Sequence, residues 1–377
     1  MGPISRRAAL AGFSALAVAG CSTKQPPPPA GYPAAANTPS PQPEPSPTEI
    51  VDTTPRWPLT GVPLKPGEES KAAHAAVGAK VPIEKRSFPQ TGVDKADIVF
   101  VESQGDSYDV TRACAVFHSN FPKEGANPIR STRPVDVPLL APLKAVLACS
   151  GAWPWVLKYV KRQKKYIELR EKYGDRSDRW KYTPGLRPWW SGGAKEDKGI
   201  VAIPGNLSRD AKLSPGVIPP VYLPYALTDA EVSTANGTAA KQVTIPYQGS
   251  WQEDHRWDWN AKKGVWQRSI KFYKSKWAKW VVRSGARVET PNALIIAAQC
   301  NMEAPKGSTH KEPVYEIINA QGKFYYFHGG KYVTGTWTKG EIQELFKFVL
   351  DDGTPLKMAP GRTWVDMPQP KAKLKIV

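Results

Sequence analysis

Three arginines, Arg112, Arg130 and Arg133, flank a strand-loop pattern in which little else carries obvious chemistry. Each guanidinium offers a fixed fork of donors, so three of them near one sheet end would form a site for a carboxylate or a phosphate. Asp97, Glu102, Asp109 and Asp136 lie in the same stretch. A second reading therefore stands beside the first: these acids pair with the arginines and pin the loop, since structural ion-pair networks gather arginines too.

Other reactive constellations are weaker. The chain has five histidines, none in an HExxH pattern or paired with cysteine, which argues against a zinc enzyme. Gly192-Gly193 lacks the spacing of a phosphate-binding loop, and no cofactor is expected. Ser131 and Ser150 have no nucleophile-elbow context, with His118 the nearby histidine. Among Glu102, Asp106 and Asp109 no spacing singles out a glycosidase pair, because separation in space decides that chemistry. Cys114, Cys149 and Cys300 sit in apolar strand contexts, where cysteine acts as a small hydrophobe; a Cys114–Cys149 bridge stays open in an exported protein. Trp251, Trp257, Trp259, Trp266, Trp277 and Trp280 alternate with lysine and arginine. They either stack on sugars or bases, or fill a β core.

The elements that would position these residues follow from periodicity. Strands are expected over residues 80–85, 97–102, 110–118 and 145–149. In the third, Arg112, Cys114 and Val116 share one face, opposite Thr111, Ala113, Ala115 and Phe117. Residues 134–143 are apolar but interrupted by proline, which predicts a short broken helix. Residues 153–173 carry Val156, Tyr159, Val160 and Ile167 on one face and seven lysines and arginines elsewhere, which predicts a basic amphipathic helix. Such a helix either packs on the core with a solvated face or lies on an anionic surface. Residues 180–245 read as a long irregular connection with small elements near 217–223. Beyond it, strands predominate: a hairpin over 256–260 and 265–268, a strand at 293–299, and a hairpin of 314–318 with 324–327 around residues 320–322. Further strands are expected at 332–337, 346–350, 356–358 and 363–367. The expected architecture is α+β: a mixed α/β N-terminal domain over residues 57–210, an irregular connection over 211–244, and a β-rich C-terminal domain over 245–370.

Residues 1–56 read differently. Arg6-Arg7, a short apolar stretch and Val18-Ala19-Gly20-Cys21 form a lipoprotein-type export signal over residues 1–21, in which Cys21 becomes the acylated first residue. The paired arginines also resemble a twin-arginine signal. Residues 22–56 are rich in proline, alanine, serine and threonine, a composition that buries no core and favours extended conformations. Roughly 35 residues at ~3 Å each reach on the order of 100 Å, a spacer between membrane and domain.

The formal charge of +18 favours anionic partners. The export signal disfavours nucleic acid among them. What remains is a membrane, reached through the lipid anchor, and a cell-wall polymer or another envelope protein.

Taken together, PLTG (58–61), KADIVFVE (95–102), DVTRACAVF (109–117), IRSTRP (129–134) and PGNL (204–207) resemble the YerB-like bacterial lipoproteins, a family carried as a domain of unknown function. RWDW (256–259), VWQR (265–268), NALII (292–296), GTWTK (335–339) and LKMAPGRTW (356–364) continue the resemblance through the second half. It implies a two-part extracytoplasmic protein with no assigned reaction. Gly205 stands where relatives are expected to carry histidine, and Ser107-Tyr108-Asp109 replaces a glycine pair. The first departure weakens a catalytic reading. The expected function is therefore a lipid-anchored envelope protein that binds a wall component or a protein partner. The alternative is an envelope enzyme whose Arg112, Arg130 and Arg133 hold an anionic wall polymer.

Overall fold

Strands with apolar residues at every position need cover on both faces, and the first half of this chain contains several. The computed structural model describes residues 53–103, 111–172, 175–184, 198–247 and 253–377. Cys21 with its export signal, residues 22–52, Asp106, Asp109, Gly192, Gly193 and Trp251 lie outside the described residues.

Strands β1 (Val77–Pro82), β2 (Ile98–Ser103), β3 (Thr111–Phe117) and β4 (Val146–Cys149) are buried along their whole lengths. Their alternate side chains feed two separate cores. Ile98, Phe100, Cys114, Val116 and Leu147 enter one, and Val99, Val101, Ala113, Ala115 and Phe117 enter the other. The face assignment expected for β3 is thus observed. Helix α1 (Asp136–Leu140), followed by a 3-10 turn at Ala141–Leu143, is the broken helix expected around the prolines.

The basic helix is shorter than its pattern suggests. Helix α2 spans Pro154–Arg162, and residues Glu168–Glu171 form strand β5, parallel to β4. Continuing the helix would leave the outer edge of β4 with unpaired backbone groups. Strand β5 satisfies them, as in the bond from Glu168 N–H to Ala145 O (3.0 Å).

The expected irregular stretch contains β6 (Trp180–Pro184) paired with β7 (Lys198–Ala202), then helix α3 (Pro204–Arg209) and the two-residue β8 (Thr238–Ala239). Residues 217–223 form no regular element. Instead Tyr222 and Leu223 plug the first core, with Tyr222 OH donating to Leu139 O (2.9 Å).

In the second half, β9 (Gln242–Tyr247), β10 (Glu253–Asn260), β11 (Val265–Lys271), β12 (Ala278–Lys279) and β13 (Glu289–Thr290) belong to a six-stranded sheet. Strands β10 and β11 form the hairpin expected around the Lys263-Gly264 turn. Strand β14 (Asn292–Ile296) returns to the first sheet, and β15 (Cys300–Glu303) pairs with β16 (Glu312–Tyr315). The hairpin expected around residues 320–322 is not there. Strand β17 (Ala320–His328) runs straight through Gly322 and turns at Gly329-Gly330 into β18 (Lys331–Lys339). Gly322 marks a close approach, not a turn: a Cβ there would lie 2.6 Å from Ala297 O and 2.8 Å from Trp337 Nε1. Strands β19 (Lys347–Leu350), β20 (Thr363–Met367) and β21 (Lys375–Ile376) complete the set. The strand expected at 356–358 reduces to a single bridge between Tyr225 and Met358.

The large sheet runs β19-β18-β17-β14-β20-β2-β3-β1-β4-β5. Its two halves come from the two halves of the chain and meet where β20 lies parallel to β2, Ile98 opposite Thr363 and Glu102 opposite Met367. The fold is α+β, a mixed sheet with few helices followed by a β-rich C-terminal half. Among the described residues no helix is long and apolar enough to cross a membrane.

The indole of Trp337 donates to Ala297 O (3.0 Å) directly over Gly322. Gly322→Ala is expected to displace it and lower stability by about 2 kcal/mol, read as a fall in the urea midpoint. A variant as stable as the parent would contradict this packing.

Candidate functional site

The inward face of β1 carries a lysine where the pattern would place an aliphatic residue. Lys80 is fully buried, and its Nζ lies 2.7 Å from Glu102 Oε1 on β2 and 2.7 Å from Asp136 Oδ1 in the first turn of α1. Asp136 Oδ2 also accepts from Thr132 Oγ1 (2.6 Å) and Arg133 N–H (2.8 Å). Burial alone would push Lys80 down, but Asp136 and Glu102 more than reverse it and hold it above the usual lysine range. Burial works upward on both acids. For Asp136, Lys80 and the hydrogen bonds outweigh it, and the carboxyl stays below its ordinary value. Glu102, with Asp136 beside it, is pushed up to about 8. Asp136 is therefore the ionised partner of Lys80, and Glu102 is the more readily protonated acid.

Around this centre the three arginines are closed into the fold. Arg112, Arg130 and Arg133 are 5–6% exposed. Arg112 Nη1 donates to Ser131 O (2.9 Å), which pins the loop to β3. Arg133 Nε lies 2.8 Å from Glu312 Oε2, and Arg130 Nε lies 3.8 Å from Glu84 Oε1. Burial, then the neighbouring Arg112, lowers Arg133 to about 10. Among the described residues, the acids nearest the Arg130 and Arg133 guanidiniums are thus Glu84 and Glu312. Glu102 and Asp136 serve Lys80, and Asp97 lies apart. Its carboxylate accepts from the N–H groups of His118 (2.6 Å) and Ser119 (2.7 Å) and from the Ser119 hydroxyl, fixing the turn after β3. Burial pushes Asp97 up to about 6 against those bonds.

A second buried ionic centre escaped the sequence reading. Arg268 on β11 faces Asp366 on β20 through two parallel bonds, Nη1 to Oδ2 (2.9 Å) and Nη2 to Oδ1 (2.6 Å). Trp257 Nε1 (2.9 Å) and Tyr247 OH (3.0 Å) also donate to Asp366. The guanidinium carbon lies 4.7, 5.0 and 5.4 Å from the ring centroids of Trp257, Trp364 and Trp280. His255 Nδ1 receives Arg268, so its Nε2 carries the proton and donates to Glu253, which also accepts from the Thr111 hydroxyl. Burial and Arg268 hold His255 well below its ordinary range, in keeping with a neutral ring. The signal for this centre was in the sequence: an arginine two residues from Trp266 on an inward face, and an aspartate inside an apolar strand.

The remaining candidates resolve simply. Trp257, Trp266 and Trp280 fill the core, and Trp277 is partly buried under Arg256 (4.5 Å). Cys114, Cys149 and Cys300 are separate buried thiols, and burial raises each of them. Among the described residues no group of three or more histidines, cysteines or acids could hold a metal. The Ser208 hydroxyl, 3.3 Å from His74 Nδ1, donates to Ala75 O (2.6 Å) and is not poised as a nucleophile.

The fold and its buried centres define a class: an α+β protein in which two sequence halves build one sheet locked by internal ion pairs. The chain belongs to the family described as "Protein of unknown function (DUF3048)", matching its N-terminal domain over residues 59–185 and its C-terminal domain over residues 243–365. The crystal structure of the YerB protein from Bacillus subtilis is similar at a TM-score of 0.63 and 19% identity, over 85% of this chain and 99% of that one. That likeness is one of fold. Comparison with curated proteins gives no match.

Two outcomes test the site. Arg268→Met leaves Asp366 buried without its cation and is expected to cost about 3–5 kcal/mol by urea unfolding; a loss below 1 kcal/mol would refute the account. Burial and the adjacent His74 depress His118 to about 4. The unfolded chain takes up that proton near 6.5, so the stability contributed by neutral His118 is present above 6.5 and lost as pH falls toward 4. His118→Gln should remove about 3 kcal/mol of acid-side loss across that interval, seen as a flatter pH profile of the urea midpoint.

Proposed function

We propose that this chain is a lipid-anchored protein of the extracytoplasmic face of the cell membrane that binds a cell-wall component or another envelope protein, without covalent chemistry of its own. The observation that carries the non-catalytic reading is the closure of Arg112, Arg130 and Arg133, each at most 6% exposed. An enzyme acting on an anionic polymer needs cations that reach its substrate, and these three are spent on Glu84, Glu312 and backbone carbonyls. The attachment half of the reading rests on Val18-Ala19-Gly20-Cys21 behind Arg6-Arg7, with Cys21 as the acylated residue. The proline-rich residues that follow supply the reach from lipid to binding domain.

Replacing Cys21 with alanine separates the two halves. Cell fractionation should find the parent in the membrane and Cys21→Ala released from it, with an unaltered fold. Full membrane retention of Cys21→Ala would remove the anchor from the proposal.

A further inference from the structure

Helix α2 divides its side chains sharply. Val156 and Val160 are buried in the core, whereas Lys158, Lys161 and Arg162 are exposed. Lys164 and Lys165 extend the exposed row into the following turn, and Lys212 adds to it from the segment after α3. Two grooves flank this ridge and share Lys161. One, of ≈ 450 Å³, lies toward the edge strand β5 and is lined by Lys161, Lys164, Ile167, Arg170, Lys212 and Leu213 among others. The other, of ≈ 520 Å³, is lined by Pro154, Leu157, Lys158, Lys161 and Arg162.

The acids of this region are already engaged. Glu168 pairs with Arg170 and accepts from the N–H groups of Lys212 (2.6 Å) and Leu213 (2.9 Å). Glu171 lies 3.6 Å from Lys161. Lys158, Arg162, Lys164 and Lys212 have no carboxylate partner among the described residues. The result is a surface of net positive charge with grooves along it, where the counter-charge for these four cations must come from outside the described residues.

We propose that the α2 ridge and its two grooves dock a linear polyanion, a wall polymer carrying a phosphate on each short repeat. Lys158 with Arg162 places cations about one helical turn apart, ~5.4 Å, and Lys164 and Lys165 continue the row in the turn that follows, a run that such a chain can follow. A lipid surface fits less well. An interfacial helix turns its apolar face to the acyl chains, and here Val156 and Val160 face the protein core. Trp153, 48% exposed, is stacked on His310 at 3.7 Å between ring centroids. The proposal names the partner for the envelope reading above and rests on it for the polymer's source.

The test uses the purified full-length Cys21→Ala chain, so that lipid attachment plays no part, titrated with poly(glycerol phosphate) at several salt concentrations. Substituting Lys158→Gln, Arg162→Gln, Lys164→Gln and Lys212→Gln together should weaken binding at least about 30-fold and reduce the salt slope by about 3. A control removing four exposed charges elsewhere, Lys262→Gln, Lys276→Gln, Lys371→Gln and Lys373→Gln, should stay within about threefold of the parent. Equal loss in both sets would overturn the proposal in favour of net charge alone. Tighter binding to phosphatidylglycerol vesicles than to the polymer would overturn it in favour of a lipid surface. Failure of the anchor would appear in fractionation, not in this titration.

Discussion

The ion pair between Arg268 and Asp366 is the constraint to which the two sheets answer. Both residues are fully buried, so the charges are separated from water and must be met by protein groups. Asp366 receives four donors, two from Arg268 and one each from Trp257 and Tyr247, while three indoles surround the guanidinium. The desolvation cost of such a pair is several kcal/mol per ion, and only this geometry offsets it. The consequence is register. Side chains alternate along β20, so a slip of one residue would carry Asp366 to the opposite face and leave Arg268 alone. Because β20 lies between β14 and β2, fixing it fixes how the two halves of the chain join. The smaller sheet is held by the same bond, since Tyr247, Trp257 and Arg268 come from β9, β10 and β11.

How much of this was legible depended on whether an element's reason for existing was local. The alternation in β3 and the β10–β11 hairpin followed from period and turn residues, and both stand. The helix continued too far in the sequence reading because its stop is not local: β5 forms to cover the edge of β4, a partner invisible in the amphipathic pattern. Gly322 was read as punctuation, but it is small because Trp337 crosses over it. At the site, Lys80 and Glu312 were not legible as partners: Lys80 takes Glu102 and Asp136, and Glu312, distant in sequence, meets Arg133. Arg268 and Asp366 went unrecognised although each is a charge at an inward strand position, which in a water-free core implies a partner.

The division of labour among the cations bears on function. Four guanidiniums, those of Arg112, Arg130, Arg133 and Arg268, occupy the interior, where a planar fork can satisfy a carboxylate or carbonyl in one fixed geometry. These buried arginines, together with Lys80, face Glu84, Glu102, Asp136, Glu312, Asp366 and backbone carbonyls. The net +18 is therefore not carried by these internal centres. Around α2 the exposed cations are mostly lysines on long flexible stems, point charges that impose little shape on a ligand. The four interior guanidiniums are thus committed to folding, while the exposed ridge at α2 combines lysines with Arg162.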